Sequence, residues 1–160
     1  DDETDAQGNK LSRPLQLGTG SVDYSAGVAV THIVRRIGLN ADLIYNFNTE
    51  ANNFALGDTL KYDFALGYRV SPRRYETYST KQWNAYLELN GEFARSNKLN
   101  GVRLPDSGGN VAFLSPGIQF IPFSTFLMEA SLRIPVIQNL NGTQLKFQPA
   151  FTVGFRWLIF

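Results

Sequence analysis

The sequence predicts an all-β fold, an antiparallel up-and-down β-barrel that turns its apolar face outward to lipid. Three observations predict it. Apolar and polar residues alternate with a period of two over segments of about 9–15 residues. No segment sustains the 3.6-residue period of an amphipathic helix. Aromatic residues reach 13%, with Phe 12, Tyr 7 and Trp 2, beside a charged fraction of only 18%. Such a ring content needs a surface or core to hold it, and 43% hydrophobic residues exclude a disordered chain.

The opening residues Asp1-Asp2-Glu3-Thr4-Asp5 are acidic and lack periodicity, so residues 1–21 are expected to form an external loop ahead of barrel strands over residues 22–160. Residues 22–32 set Val22, Tyr24, Ala26, Val28 and Val30 against Asp23, Ser25, Gly27, Ala29 and Thr31. Residues 39–48 set Leu39, Ala41, Leu43, Tyr45 and Phe47 against Asn40, Asp42, Ile44, Asn46 and Asn48. Over residues 59–70 the alternation is strongest, with Leu60, Tyr62, Phe64, Leu66, Tyr68 and Val70 opposite Lys61, Asp63, Ala65, Gly67 and Arg69. Residues 83–93 follow, with Trp83, Ala85, Leu87, Leu89 and Phe93 opposite Asn84, Tyr86, Glu88, Asn90 and Glu92. Residues 112–120 are the weakest segment, because Phe113 falls on the polar side. In 128–136, Met128, Ala130, Leu132, Ile134 and Val136 oppose Glu129, Ser131, Arg133 and Pro135. Finally, 145–159 sets Leu145, Phe147, Phe151, Val153, Phe155, Trp157 and Ile159 against Lys146, Gln148, Thr152, Gly154 and Arg156. The uncharged run 107–128 does not read as a spanning helix, since Gly108-Gly109, Pro116 and Pro122 interrupt it; it reads as two strands around a turn.

Strand length separates a membrane barrel from a soluble one. Soluble strands usually run about 5–6 residues, whereas lipid-spanning strands need about 9–11. Ring placement points the same way. If the last strand ends in the periplasm, Tyr68, Trp83, Phe120 and Trp157 fall near periplasmic ends. Tyr24, Tyr45, Phe47, Tyr62, Phe93 and Phe147 then fall near extracellular ends, giving two interfacial girdles. The opposite parity would line a lumen with Asp42, Lys61, Asp63, Arg69, Tyr86, Glu88, Glu92, Glu129, Arg133 and Arg156. Lys61 and Glu92 could face each other across adjacent strands, as could Glu129 and Arg156. Connections 35–38 and 121–125 are short, and 49–58 and 94–110 long, in keeping with periplasmic turns and external loops. Connections 71–81 and 137–144 fit that asymmetry less well. Seven strands are an odd number, and single-chain bacterial barrels close with even numbers, so further strands are expected upstream and the segment reads as the C-terminal part of a larger barrel.

Leu17-Gly18-Thr19-Gly20-Ser21-Val22-Asp23-Tyr24 opens a strand after a loop. Ile134-Pro135-Val136 runs into Asn141-Gly142-Thr143-Gln144-Leu145, and a Gly154-containing strand leads to Phe160. These residues resemble the outer-membrane transporter family named for the meta-cleavage pathway of phenol degradation. The resemblance implies an outer-membrane channel passing small hydrophobic or aromatic compounds. Phe160 resembles the C-terminal signal that outer-membrane barrels present to the assembly machinery, although its parity differs from that of Phe151 to Ile159. Either a bulge near Leu158 shifts the register or the signal is degenerate.

Other chemistry is poorly supported. There is no cysteine, so disulfides, thiolate metal sites and cysteine nucleophiles are excluded. One histidine cannot build a multi-histidine metal site, and His32, beside Arg35-Arg36 at a strand end, reads as interfacial rather than catalytic. A net charge of +1 argues against nucleic acid. Asn141-Gly142-Thr143 matches a glycosylation sequon, yet Asn-Gly is first a turn signal. No catalytic residue, metal or cofactor is expected. The expected partners are a bacterial outer membrane with its lipopolysaccharide, the barrel-assembly machinery and a small solute. Three functions are compatible with this pattern: a passive channel, with a polar lumen or an apolar patch around Ile44, Tyr86 and Phe113; a plugged structural barrel whose external loops bind a partner; and a soluble β-barrel carrier of a hydrophobic ligand.

Overall fold

The computed structural model describes residues 4, 6–9, 18, 20–74, 77 and 80–159. Seven long strands form one antiparallel sheet: β1 (Tyr24–Val34), β2 (Ile37–Phe47), β5 (Thr59–Ser71), β6 (Gln82–Ala94), β9 (Gly109–Phe123), β10 (Phe126–Leu140) and β11 (Ala150–Trp157). Each pairs with the next long strand in sequence, an up-and-down order with no crossover. The sheet does not close on itself, so β1 and β11 are both edges. No helix among the described residues is long and apolar enough to cross a membrane, which bears on helical spans alone.

Alternation becomes two chemically distinct faces. On β5, Leu60, Phe64, Leu66, Tyr68 and Val70 are exposed, while Asp63, Ala65, Gly67 and Arg69 are half-buried. Successive strand side chains point to opposite sides, so one face carries the large apolar groups and the other the charges. Only Ala112 and Phe113 among the described hydrophobic residues are buried. The large apolar groups of the described residues are mostly on the surface of the sheet; Phe151, Val153 and Phe155 are 71%, 68% and 76% exposed.

Several boundaries differ from the sequence-based expectation. At one end the strands run almost into each other, leaving two-residue turns at Arg35-Arg36 and Ser124-Thr125. Strand β10 extends to Leu140, and β11 begins only at Ala150, so the connection there is 141–149, longer than expected. The extended strand expected from residue 145 is thus corrected. Pro149 has no N–H to donate to the ladder, and the β10–β11 register ends at Arg133↔Ala150.

A second sheet was not anticipated. Within 49–58, β3 (Glu50–Ala51) and β4 (Phe54–Ala55) form a minimal hairpin, and within 95–108, β7 (Lys98–Leu99) and β8 (Val102–Arg103) form another. They join in the order β3-β4-β7-β8, tying two long loops together at one end of the main sheet. Their turns, Asn52-Asn53 and Asn100-Gly101, hold φ of 52° and 59°, and of 51° and 74°. That left-handed pair is the hairpin geometry that Asn and Gly adopt most readily.

Candidate functional site

Register arranges the charged face in rows. Nearest the long loops lie Ile44, Lys61, Glu92, Val111 and Gln138. Next come Asp42, Asp63, Asn90, Phe113 and Pro135. Toward the tight turns follow Asn40, Ala65, Glu88 and Ser115, then Gly38, Gly67, Tyr86, Gly117 and Ser131. Arg69, Asn84, Gln119 and Glu129 form the last full row. Two cavities lie against this face, of about 310 Å³ toward the loops and about 510 Å³ toward the turns.

Around the smaller cavity, Lys61 Nζ stands 3.8 Å from Glu92 Oε2, the two residues being register partners. Both are partly solvated, so the pair contributes at most about 1 kcal/mol of stability. Asp63 accepts a 2.6 Å hydrogen bond from Asn90 Nδ2 and faces Asp42 in register. On the next strands of the same sheet, β9 and β10, the Arg133 guanidinium lies 3.6 Å from the centroid of the Phe113 ring, which Phe147 meets edge-on at 5.2 Å. Phe113, the residue that spoils the alternation, is therefore buried on the charged face under an arginine. Phe147 does not belong to the outer girdle where strand parity put it. It lies in the 141–149 connection, outside any strand, where its N–H donates to Gln138 Oε1 at 2.7 Å.

The larger cavity is bounded by Arg36, Arg69, Tyr86, Glu88, Gln119 and Glu129, among others. Tyr86 lies flat over Gly117, where a Cβ would fall 2.2 Å from its Cζ; only glycine fits beneath that ring. Glu129 accepts from Gln119 Nε2 at 3.4 Å and stands opposite Gly154, while Arg156 stands opposite Leu127 on edge strand β11. The expected face-to-face pairing of Glu129 with Arg156 is corrected, because the β10–β11 register offsets them by one same-face position.

The apolar face carries its rings in two bands. Toward the tight turns, Trp83 stacks on Phe120 at 4.2 Å, Phe126 meets Phe123, Phe155 and Trp157 at 5.6–6.2 Å, and Arg36 lies 4.8 Å from the Tyr68 ring. At the loop end Tyr24 pairs with Phe47, Tyr45 with Leu60, and Leu60 with Phe93. Tyr62 covers Gly91 and donates to Asn110 Oδ1 at 3.2 Å. Between the bands run mainly aliphatic rows such as Leu39, Leu66 and Leu87, with Phe64 and Phe151 as rings at that level. His32 lies in β1, exposed, opposite Leu39. Phe160 lies outside the described residues.

The loop end also contains a polar hub that the sequence did not single out. Ser96 Oγ donates to Ser107 O at 3.0 Å and accepts from Arg103 Nε at 2.9 Å and Asn141 Nδ2 at 3.3 Å. Asp58 plays a similar part for the other loop, accepting from Tyr45 Oη, Arg95 Nη1 and the Asn48 N–H. Among the described residues no group of three or more His, Cys, Asp or Glu could hold a metal.

In comparison with known proteins, residues 6–133 match a family model described as "Putative MetA-pathway of phenol degradation". That span runs through β1 to the middle of β10. No curated protein and no solved structure matches the chain.

Proposed function

This chain belongs to the phenol-degradation MetA-pathway family, and from that premise we propose that it forms the wall of a passive channel in a bacterial outer membrane. The channel passes small, hydrophobic or aromatic compounds and performs no catalysis, and its wall needs neither metal nor cofactor. The observation that carries this reading is the division of the sheet. The two cavities of the charged face lie opposite the wall that carries most of the exposed aliphatic and aromatic strand residues, with Ile44 and Phe147 as exceptions on the charged side.

Dimensions support it. Trp83 and Phe93, one in each ring band, are ten residues apart on β6, or about 33 Å along the strand at about 3.3 Å per residue. At a tilt of about 40° this projects to roughly 25 Å, the height of the apolar belt of an outer-membrane barrel. The tight turns then face the periplasm and the paired loops face outward. Edge strands β1 and β11 are closed by additional strands, since an unpaired strand edge is not tolerated in hydrocarbon. A soluble carrier would wrap its apolar face around the cavity, the reverse of this arrangement. The lipid bilayer, its lipopolysaccharide and the assembly machinery are the partners that follow.

Solute passage would follow a path along the wall that carries Lys61–Glu92 and the Arg133–Phe113–Phe147 cluster. Both charge signs line it, so weak ion selectivity is expected. The deciding experiment is reconstitution of the full chain in planar bilayers, with swelling of proteoliposomes in phenol-class and sugar solutes. Stepwise conductance with permeation of the aromatic solute is expected. An inserted but non-conducting and impermeable protein would overturn transport in favour of the plugged, partner-binding barrel.

A further inference from the structure

We propose that the loop end of the apolar face holds a binding site for the phosphorylated headgroup of an outer-leaflet glycolipid, centred on Lys98 and Arg103. This inference rests on the membrane reading above.

Lys98 and Arg103 are direct register partners in the β7–β8 hairpin. Directly opposed side chains have Cβ atoms about 4.5–5.5 Å apart, and like charges in that position repel. Both residues are exposed, and among the described residues neither has a carboxylate within ion-pair distance. Glu50 shares their row, but Ala55 intervenes, so it stands two strand spacings, about 10 Å, from Lys98. The neighbouring cation differs: Arg95 is neutralised by Asp58 at 3.2 Å. Arg103 is also oriented, because its Nε donates to Ser96 Oγ at 2.9 Å while the residue as a whole stays exposed. Two opposed cations, one anchored and neither neutralised, make a site for an anion with several acceptor oxygens.

The position selects the class of anion. These cations border a cavity of about 560 Å³ that also involves Phe93, Asn110 and Asn139. Register puts Phe93 opposite Asn110 and Asn110 opposite Asn139, on the same side of the sheet as the apolar rows. The cavity thus reaches the outer wall at the strand ends, where Ala94 and Gly109 of the other parity also line it. Immediately below it comes Ile137, beside a buried Ala112 and a Gly91 covered by Tyr62, and then Leu89, Leu114 and Ile134. Cations over amides over an aliphatic track match a phosphate, a sugar and an acyl chain in that order. A free anion would gain nothing from the track.

The test uses the full chain inserted in phosphatidylcholine vesicles doped with bisphosphorylated lipid A, which is then extracted in mild detergent and assayed for retained lipid A. Each surface cation contributes about fivefold to attraction of an anionic lipid. Lys98→Gln is expected to lower retention about fivefold, and Lys98→Gln with Arg103→Gln about 25-fold. Arg103→Lys, which breaks the Ser96 bond but keeps the charge, should retain most of it. Dephosphorylated lipid A should bind the native chain no better than the bisphosphorylated form binds the double variant. Equal retention by all variants, or equal retention of the dephosphorylated lipid, overturns the site. Complete displacement by excess inorganic phosphate overturns the lipid in favour of a plain anion site. Protease protection in the same vesicles reports insertion. Failure to insert overturns the membrane reading, whereas insertion without lipid retention overturns this site alone.

Discussion

Two contacts on the charged face are specific enough to test one side chain at a time. A methyl at Gly117 collides with the Tyr86 ring, so Gly117→Ala should cost about 1–3 kcal/mol through forced displacement. Urea unfolding of the reconstituted protein would read that loss, and in a Tyr86→Ala background the cost should largely vanish. Arg133 over Phe113 is a cation–π contact worth about 0.5–2 kcal/mol. Arg133→Gln should therefore lower stability only modestly, while reversal potentials in bilayer recordings shift toward cations as a positive wall charge disappears. Glu88→Gln with Glu92→Gln should shift them the other way, and unchanged potentials in both would remove these groups from the conducting path. The sequence placed Arg133, Tyr86, Glu88 and Glu92 on one face by parity alone. It misplaced Phe147, because parity holds only inside a strand, and Pro149 had already ended the ladder there. The signal available was that proline together with the unexplained Phe113, an aromatic on the polar side that needs a covering partner.

For the elements, the consequence of two faces is that adjacent positions on one strand respond oppositely to the same change. Leu87 is exposed in the middle of the apolar face of β6, and Glu88 is its neighbour on the charged face. Leu87→Arg should weaken folding into vesicles by about 2–4 kcal/mol, the cost of a cation at the bilayer midplane. Glu88→Arg should cost far less; equal costs in a vesicle-folding titration would sink the lipid-facing assignment. Long strands were legible from the sequence because alternation persists over more residues than chance allows. The β3–β4 and β7–β8 hairpins were not, since two-residue strands have no period to detect. Their only marks are Asn52-Asn53 and Asn100-Gly101, turn pairs inside segments that otherwise read as loop. Gly101, at φ 74°, should tolerate alanine only at a cost of about 1 kcal/mol, confined to the loop sheet. Hydrogen exchange restricted to residues 98–103 would show it.

Among the described residues the main sheet has two edges, β1 and β11, and the behaviour of the molecule depends on how they are satisfied. The proposed closure predicts a compact, heat-modifiable species on detergent gels for the full chain, converting to a slower-migrating one on boiling. A single mobility at both temperatures would speak against a closed barrel. The sequence by itself determined the all-β class, the meander order of seven long strands and the chemistry of each face. These follow from a period of two and from turn residues, both local properties. The facing of Lys61 and Glu92 was already readable from strand parity, and the structure pairs them; tertiary structure alone decided the other meetings, Arg133 with Phe113 and Phe147, Tyr86 over Gly117, and two distant loops joined through Phe54↔Leu99. Those pairings depend on register between strands, which a bulge or a proline shifts by one residue. Alternation within a strand says which side a residue faces, and only the neighbouring strand says what it faces there.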